Sequence, residues 1–231
     1  MSPPSGAGAL AALAACGSTI ALYAFGRWLH RRVPTTLTLP VVVATLGLIA
    51  ALTALRLDVG AYVSAARPLS FWLGPATVAL AIPVHREWPR MVRHRRAIVF
   101  AVVSGAIVSV ASVLACGLVL HASPTLVRSL VPKSVTTPIA MPIAARLGGV
   151  PELTAAVVIV TGLLGMAFGS RLLDWVGVRD PVARGLALGT AAHGIGTARA
   201  LEEGPLVGAM AGVAMVVSGV TTAIVAPLIV R

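Results

Sequence analysis

The chain has 231 residues, of which 58% are hydrophobic and 11% charged, with a formal net charge of +11. Soluble globular domains carry about a quarter charged residues, so this composition excludes a soluble domain. The positive balance does not describe a nucleic-acid binder either. The arginines gather where apolar runs end, and the chain has only four Trp, two Tyr and four Phe for stacking.

Six stretches free of Asp, Glu, Lys and Arg reach 18 residues or more: 1–26, 33–55, 68–85, 97–127, 153–170 and 204–230. Roughly 20 apolar residues cross the hydrocarbon core as a helix, with ~17 as the lower limit. Backbone exposed to lipid must satisfy its own hydrogen bonds, which selects helices. The expected fold is all-α: a polytopic membrane protein with about six full spans and two broken or re-entrant half-helix elements.

The first stretch contains Leu13-Ala14-Ala15-Cys16, which has the look of a lipoprotein cleavage box. No Lys or Arg precedes it and the apolar run continues through Phe25, so an uncleaved first helix is expected. Arg27, Arg31 and Arg32 follow, and after the third stretch come Arg86, Arg90, Arg93, Arg95 and Arg96. With two crossings between them, loops 27–32 and 86–96 fall on one side. Arginine bias makes that side the cytoplasm and puts the N-terminus outside, in a multi-pass protein of the plasma membrane. Anionic lipid headgroups would reinforce the arrangement. The span 68–85 is interrupted by Gly74-Pro75 and by Pro83. The span 97–127 then returns outward.

Beyond it, 134–145 and 185–198 are charge-free but short. The first holds Pro138 and Pro142, the second Gly189, Gly194 and Gly196. Short apolar segments dense in breakers are the sequence sign of a transporter's binding cavity. Cys16 and Cys116 each stand alone in an apolar stretch, which suggests neither a disulfide framework nor a metal site, and no cofactor is expected.

In Pro132-Lys133-Ser134-Val135-Thr136-Thr137-Pro138-Ile139-Ala140, Thr137 reads as an N-cap with Pro138 at the first helical position. Helix-start amides, the hydroxyls of Ser134, Thr136 and Thr137, and the charge of Lys133 would then converge on an anion. Lys133 is the only lysine in the chain. Its other reading is an interfacial residue whose ammonium snorkels to water.

The second constellation is Gly185–Arg199, with His193, Gly194, Gly196, Thr197 and Arg199. Of five histidines, only His193 lies in a broken apolar segment. It is either a cavity group able to carry a proton or the donor of a structural hydrogen bond between helices. Arg199 is either a carboxylate ligand or neutralised by Glu202 or Glu203. No Asp or Glu lies deep in a span, and no HExxH, GxSxG or intramembrane aspartate pair occurs, so an enzyme is not expected.

These strings resemble the signature motifs of the LrgB/CidB family: Pro132–Ala140, Gly148-Gly149-Val150-Pro151-Glu152-Leu153-Thr154-Ala155, Arg184–Ala200 and Leu73–Pro83. The resemblance treats 1–231 as one membrane domain, with a motif-bearing core at 67–231 and weakly matching helices at 1–66. Bacterial members of that family are called antiholin-like or regulators of murein hydrolase export. Plastid relatives translocate glycolate and glycerate, some bacterial members are implicated in pyruvate uptake, and a small LrgA/CidA-type membrane protein commonly acts beside them. Departures are Val84-His85 for Leu-Tyr, Ala192 for a Ser, and Val207 with Ala211-Gly212 for a commonly acidic, serine-bearing stretch.

The function expected is a secondary transporter of a small monocarboxylate such as glycolate, glycerate, lactate or pyruvate. Its substrate-binding residues would be Lys133, Ser134, Thr136, Thr137, His193, Thr197 and Arg199, with backbone breaks at Gly74, Pro75, Pro138, Gly194 and Gly196. The alternative is a holin-like pore or a regulator of hydrolase release. A homodimer is expected on general grounds.

Overall fold

The computed structural model describes residues 6–35, 38–72, 75, 78, 79, 81–93 and 95–230. These residues form helices and turns, with no β-strand among them. They divide into two compact units, Met1–Ala79 and Leu80–Arg231.

The first unit contains α1 (Gly6–Arg32), α2 (Pro40–Ala54), α3 (Val59–Ala65) and α4 (Arg67–Phe71). Pro40 opens α2, and the chain leaves it through Arg56 at φ 51. The helix therefore has 15 residues, below the ~17 needed to cross. Asp58 caps α3 by accepting from the Ala61 amide at 2.6 Å, and the Thr19 and Tyr62 hydroxyls tie α1 to α3.

The second unit contains α5 (Ala81–Arg86), α6 (Trp88–Arg93), α7 (Arg95–Val119), α8 (Pro124–Leu130), α9 (Thr137–Leu147), α10 (Pro151–Trp175), α11 (Pro181–Glu203) and α12 (Pro205–Ile229). Among the described residues four helices are long and apolar enough to cross a membrane: Gly8–Arg32, Arg95–Val119, Pro151–Trp175 and Pro205–Ile229. Stretch 33–55 yields only α2. Stretch 68–85 is divided into short helices, with Gly74 outside the described residues and Pro75 exposed in a helical turn. The arginine clusters expected in loops are helical instead. Arg31 and Arg32 close α1, while Arg95 and Arg96 open α7.

Small side chains let the long helices of the second unit approach closely. α7 and α12 run side by side in the same direction. Ile98 and Val102 meet Ala209, Met210 and Ala214 near their starts, and Val110 and Val113 meet Ala226 towards their ends.

α11 carries the sharpest departure from regularity. Its backbone leaves helical geometry at Ala192 (φ −129, ψ 18) and His193 (φ 42, ψ −134). Yet Arg184 Nε, at its start, donates to Glu203 Oε2, at its end, over 2.7 Å. Nineteen residues of straight helix would separate them by ~28 Å. The chain must therefore reverse at Ala192–His193, and α11 is a helical hairpin with its tip there. Its two arms are close enough that a Cβ on Gly196 would stand 2.4 Å from the Leu188 carbonyl oxygen. The break expected at Gly194 and Gly196 thus falls earlier, at Ala192 and His193. Gly196 serves arm packing, a Cβ on Gly194 would meet only Met215 of α12 at an ordinary 3.7 Å, and His193 takes the turn.

Candidate functional site

The hairpin is gripped on both sides. On α10, a Cβ on Gly162 would meet the His193 ring at 2.9 Å, one on Gly165 would meet Ala192 Cβ at 2.2 Å, and one on Gly169 would meet Leu188 at 2.7 Å. On the other side, a Cβ on Gly189 would stand 2.2 Å from the Ala211 carbonyl oxygen of α12. The mouth is closed by charge. Arg184 Nη1 donates to Asp174 Oδ1 at 2.6 Å and to the Val178 carbonyl at 2.9 Å, and the Ser170 hydroxyl joins Glu203. These contacts place the mouth at the C-terminal end of α10.

The segment between α7 and α10 enters from the opposite end. α7 stops at Val119, the chain turns through His121 at φ 50, and Ser123 caps α8 by accepting from the Leu126 amide. Ser129 holds this segment to the start of α10, accepting from the Val150 amide at 2.8 Å while its carbonyl accepts from Thr154 at 2.9 Å. The turn at 131–136 then reaches the middle of the unit, where Val135 and Ala140 pack on Val158. His193 Nε2–H donates to the carbonyl of that same Val158 at 3.0 Å. The two segments marked by breakers, arriving from opposite ends of α10, meet at Val158.

Beside this meeting point lies a cavity of about 650 Å³. Its walls are Ala101, Gly105, Val108 and Ser109 of α7, Thr161 and Gly165 of α10, and the first arm of α11 from Ala183 to Ala191. Lys133 and Ser134 complete it. Lys133 Nζ donates to Ser109 Oγ at 3.0 Å, and Ser109 Oγ lies 2.8 Å from Ser134 Oγ. Among the described residues Lys133 has no carboxylate partner, and it is the only charged residue in the lining.

The residues expected to bind are thus distributed unevenly. Lys133 and Ser134 line the cavity; Thr136, Thr137, His193, Thr197 and Arg199 do not. The helix start lies one residue earlier than expected. Thr136 is the N-cap of α9, without a side-chain cap bond, and Thr137 opens the helix ahead of Pro138. The Thr136 carbonyl accepts from the Ile139 and Ala140 amides at 2.9 Å each, and Pro138 has no amide hydrogen. The helix start therefore has at most one amide to offer an anion, fewer than the motif suggested. His193 is 5% exposed and adopts the interhelical bond, and Thr197 donates to its carbonyl at 2.9 Å. Arg199 sits at the hairpin mouth, donating to Glu202 at 2.7 Å and to Ser170 at 3.0 Å.

Ser109, Thr161 and Thr190 escaped the sequence reading. Each stands in a helical run, and only tertiary packing brings the three residues around one space. Among the described residues no cluster of three or more His, Cys, Asp or Glu could hold a metal ion.

An all-helical second unit, with a hairpin and an opposed turn meeting beside a cavity that holds one cation, defines a multi-pass membrane protein built around broken segments. The chain belongs to the LrgB-like family, whose model matches residues 19–231. It is 35% identical over 212 residues to an uncharacterized Bacillus subtilis protein, YxaC, covering 92% of each chain. It is 34% identical to YwbG of the same organism, over 91% of this chain and 94% of that one. It is 36% identical over 167 residues to the antiholin-like protein LrgB of Bacillus mycoides, covering 72% of this chain and 73% of the relative. No solved structure matches.

Proposed function

We propose that the chain is a secondary transporter of small monocarboxylates, with the cavity at Lys133 as its binding site. The supporting observation is the lysine itself. A cation in an otherwise uncharged, largely apolar cavity with no acidic partner among the described residues is costly unless an anion joins it. Ser109 and Ser134 extend the donor set, so a carboxylate can take a charge-assisted bond from Lys133 while a hydroxyl reads a 2-hydroxy or 2-oxo oxygen. Thr136 and Thr137 support the turn that presents Lys133. His193 and Thr197 hold the hairpin tip opposite it, and Arg199 helps hold the hairpin mouth, so these three act through position.

Broken segments entering from opposite ends and meeting in the middle are the arrangement used by alternating-access transporters. On this reading the two breaker-rich elements are half-crossing, and the protein lies in the plasma membrane with its N-terminus outside. It works as a dimer, with a small LrgA/CidA-type membrane protein as a further partner. Counterflow in proteoliposomes tests the reading. Preloaded unlabelled carboxylate should drive saturable accumulation of labelled carboxylate, and Lys133→Met should raise its half-saturation concentration, on the order of tenfold to a hundredfold. The names of relatives such as the antiholin-like protein LrgB of Bacillus mycoides favour a second reading, a holin-like pore or a regulator of hydrolase release. A pore would leak an entrapped dye, which is large and unrelated to carboxylates, and neither a pore nor a regulator would give saturable counterflow.

A further inference from the structure

The Lys133 cavity is much larger than a two- or three-carbon acid requires, at about 650 Å³. Its charge and its hydrogen-bonded hydroxyls are gathered on one side, with Thr161 and Thr190 as the other polar residues of the lining. Lys133, Ser109 and Ser134 are bonded to one another on one wall. Thr190, on the hairpin, has its methyl group closest to Gly105, 3.0 Å from where a Cβ there would lie. The remaining space is bounded chiefly by aliphatic side chains, Val108 and Leu186 among them. It exists because the first arm of α11 presents Ala183, Ala187 and Ala191 at helical i, i+4, i+8 spacing, three short side chains on one face. None of the three is buried, so the protein does not itself fill the space in front of them.

Building on the carboxylate reading above, we propose that this cavity takes monocarboxylates with a bulky apolar tail, branched-chain 2-oxo acids in particular, and that Ala183, Ala187 and Ala191 set the size limit. The carboxylate lies on Lys133 and the 2-oxo oxygen on Ser109. The tail runs along the alanine face of the hairpin, where each methylene leaves water. A dicarboxylate is disfavoured because the lining offers no second cation for its far end.

The test is counterflow in proteoliposomes holding the full chain, with labelled pyruvate and labelled 2-oxoisocaproate measured against glyoxylate, pyruvate, 2-oxoisovalerate and 2-oxoisocaproate as competitors. Burial of apolar area strengthens binding about threefold to fourfold per methylene. The half-saturation concentration should therefore fall along the series, by tenfold or more from pyruvate to 2-oxoisocaproate. Ala187→Leu should reverse the order, weakening 2-oxoisocaproate while leaving pyruvate within about threefold. Ala191→Val is the second variant, used if Ala187→Leu shows no cooperative thermal transition. A flat series, or one in which glyoxylate or pyruvate is preferred, overturns the size inference and leaves carboxylate transport standing. A reversed order missing from both folded variants overturns the role of the alanine face. Absence of saturable counterflow for every acid, in protein with a normal thermal transition, removes the carboxylate reading and this inference with it.

Discussion

At the scale of single residues, the proposed function gives Lys133 a binding role and His193 a positioning one. Lys133 offers a charge to the cavity, whereas Arg128, five residues earlier, belongs to the last turn of α8 and does not line it. Lys133→Met should therefore weaken carboxylate binding by about 1.5–3 kcal/mol, on the order of tenfold to a hundredfold, and Arg128→Met should change it little. Half-saturation values for the two variants, reconstituted at equal density, decide the matter; normal transport by Lys133→Met with loss in Arg128→Met would move the site elsewhere. His193 stores strain, since φ 42 is uncommon for a residue with a side chain and costs ~1–3 kcal/mol unless its surroundings compensate. The bond to the Val158 carbonyl supplies part of that compensation. His193→Ala keeps the strained backbone and removes the bond between hairpin and α10, leaving the Val158 carbonyl its partner within α10. It should lower stability by about 0.5–1.5 kcal/mol, read as a fall in the thermal transition in detergent, with loss of transport following from a displaced tip. An unchanged transition with lost transport would return His193 to a direct role in the cavity.

At the scale of elements, the hairpin depends on its mouth and on its glycines. The Arg184 and Glu203 side chains are 12% and 14% exposed, so their bond is largely withdrawn from water. Burial alone would raise the Glu203 carboxyl. The hydrogen bonds from Arg184 and Ser170 outweigh it, helped by the charges of Arg184 and Arg199, and the carboxyl is held below its ordinary value. A depressed folded value means that the contribution is full above the unfolded value. It is lost as pH falls through the folded one, because the unfolded chain takes up its proton first. Removing one partner of such a pair leaves the other unpaired, so Glu203→Gln should cost about 3 kcal/mol near neutral pH. That difference should shrink on acidification through the carboxylate range. Thermal transitions at neutral and acidic pH measure it, and a pH-independent difference would mean that the charge contributes nothing. Gly189→Val addresses the other contact. A Cβ there would already stand 2.2 Å from a backbone oxygen of α12, so the hairpin should be expelled and the folded fraction in detergent lost.

At the scale of the whole molecule, arginine bias predicts that the end of α1 and the segment before α7 face the same compartment, the cytoplasm. With Cys16 and Cys116 replaced, cysteines at Arg31 and Arg93 should both resist an impermeant thiol reagent in intact cells and react after permeabilisation. Labelling of either from outside would overturn that sidedness. The sequence by itself determined the all-helical, multi-pass class and the family. Hydrocarbon admits only apolar runs of sufficient length, and motifs such as Pro132–Ala140 are specific strings that need no geometry to be read. It also marked the two breaker-rich segments, because glycine and proline limit helices locally. What only tertiary structure decided is where those breaks fall and which hydroxyl-bearing residues border the cavity beside them. The reversal lies at His193 rather than at Gly194 or Gly196, where α10 supplies a carbonyl for the His193 ring, while Gly196 is needed where the helix arms nearly touch. Ser109, Thr161 and Thr190 were hidden for the same reason. A hydroxyl inside a helix can satisfy itself on its own backbone, so only the packing of α7, α10 and α11 around Lys133 decides that these three border the cavity.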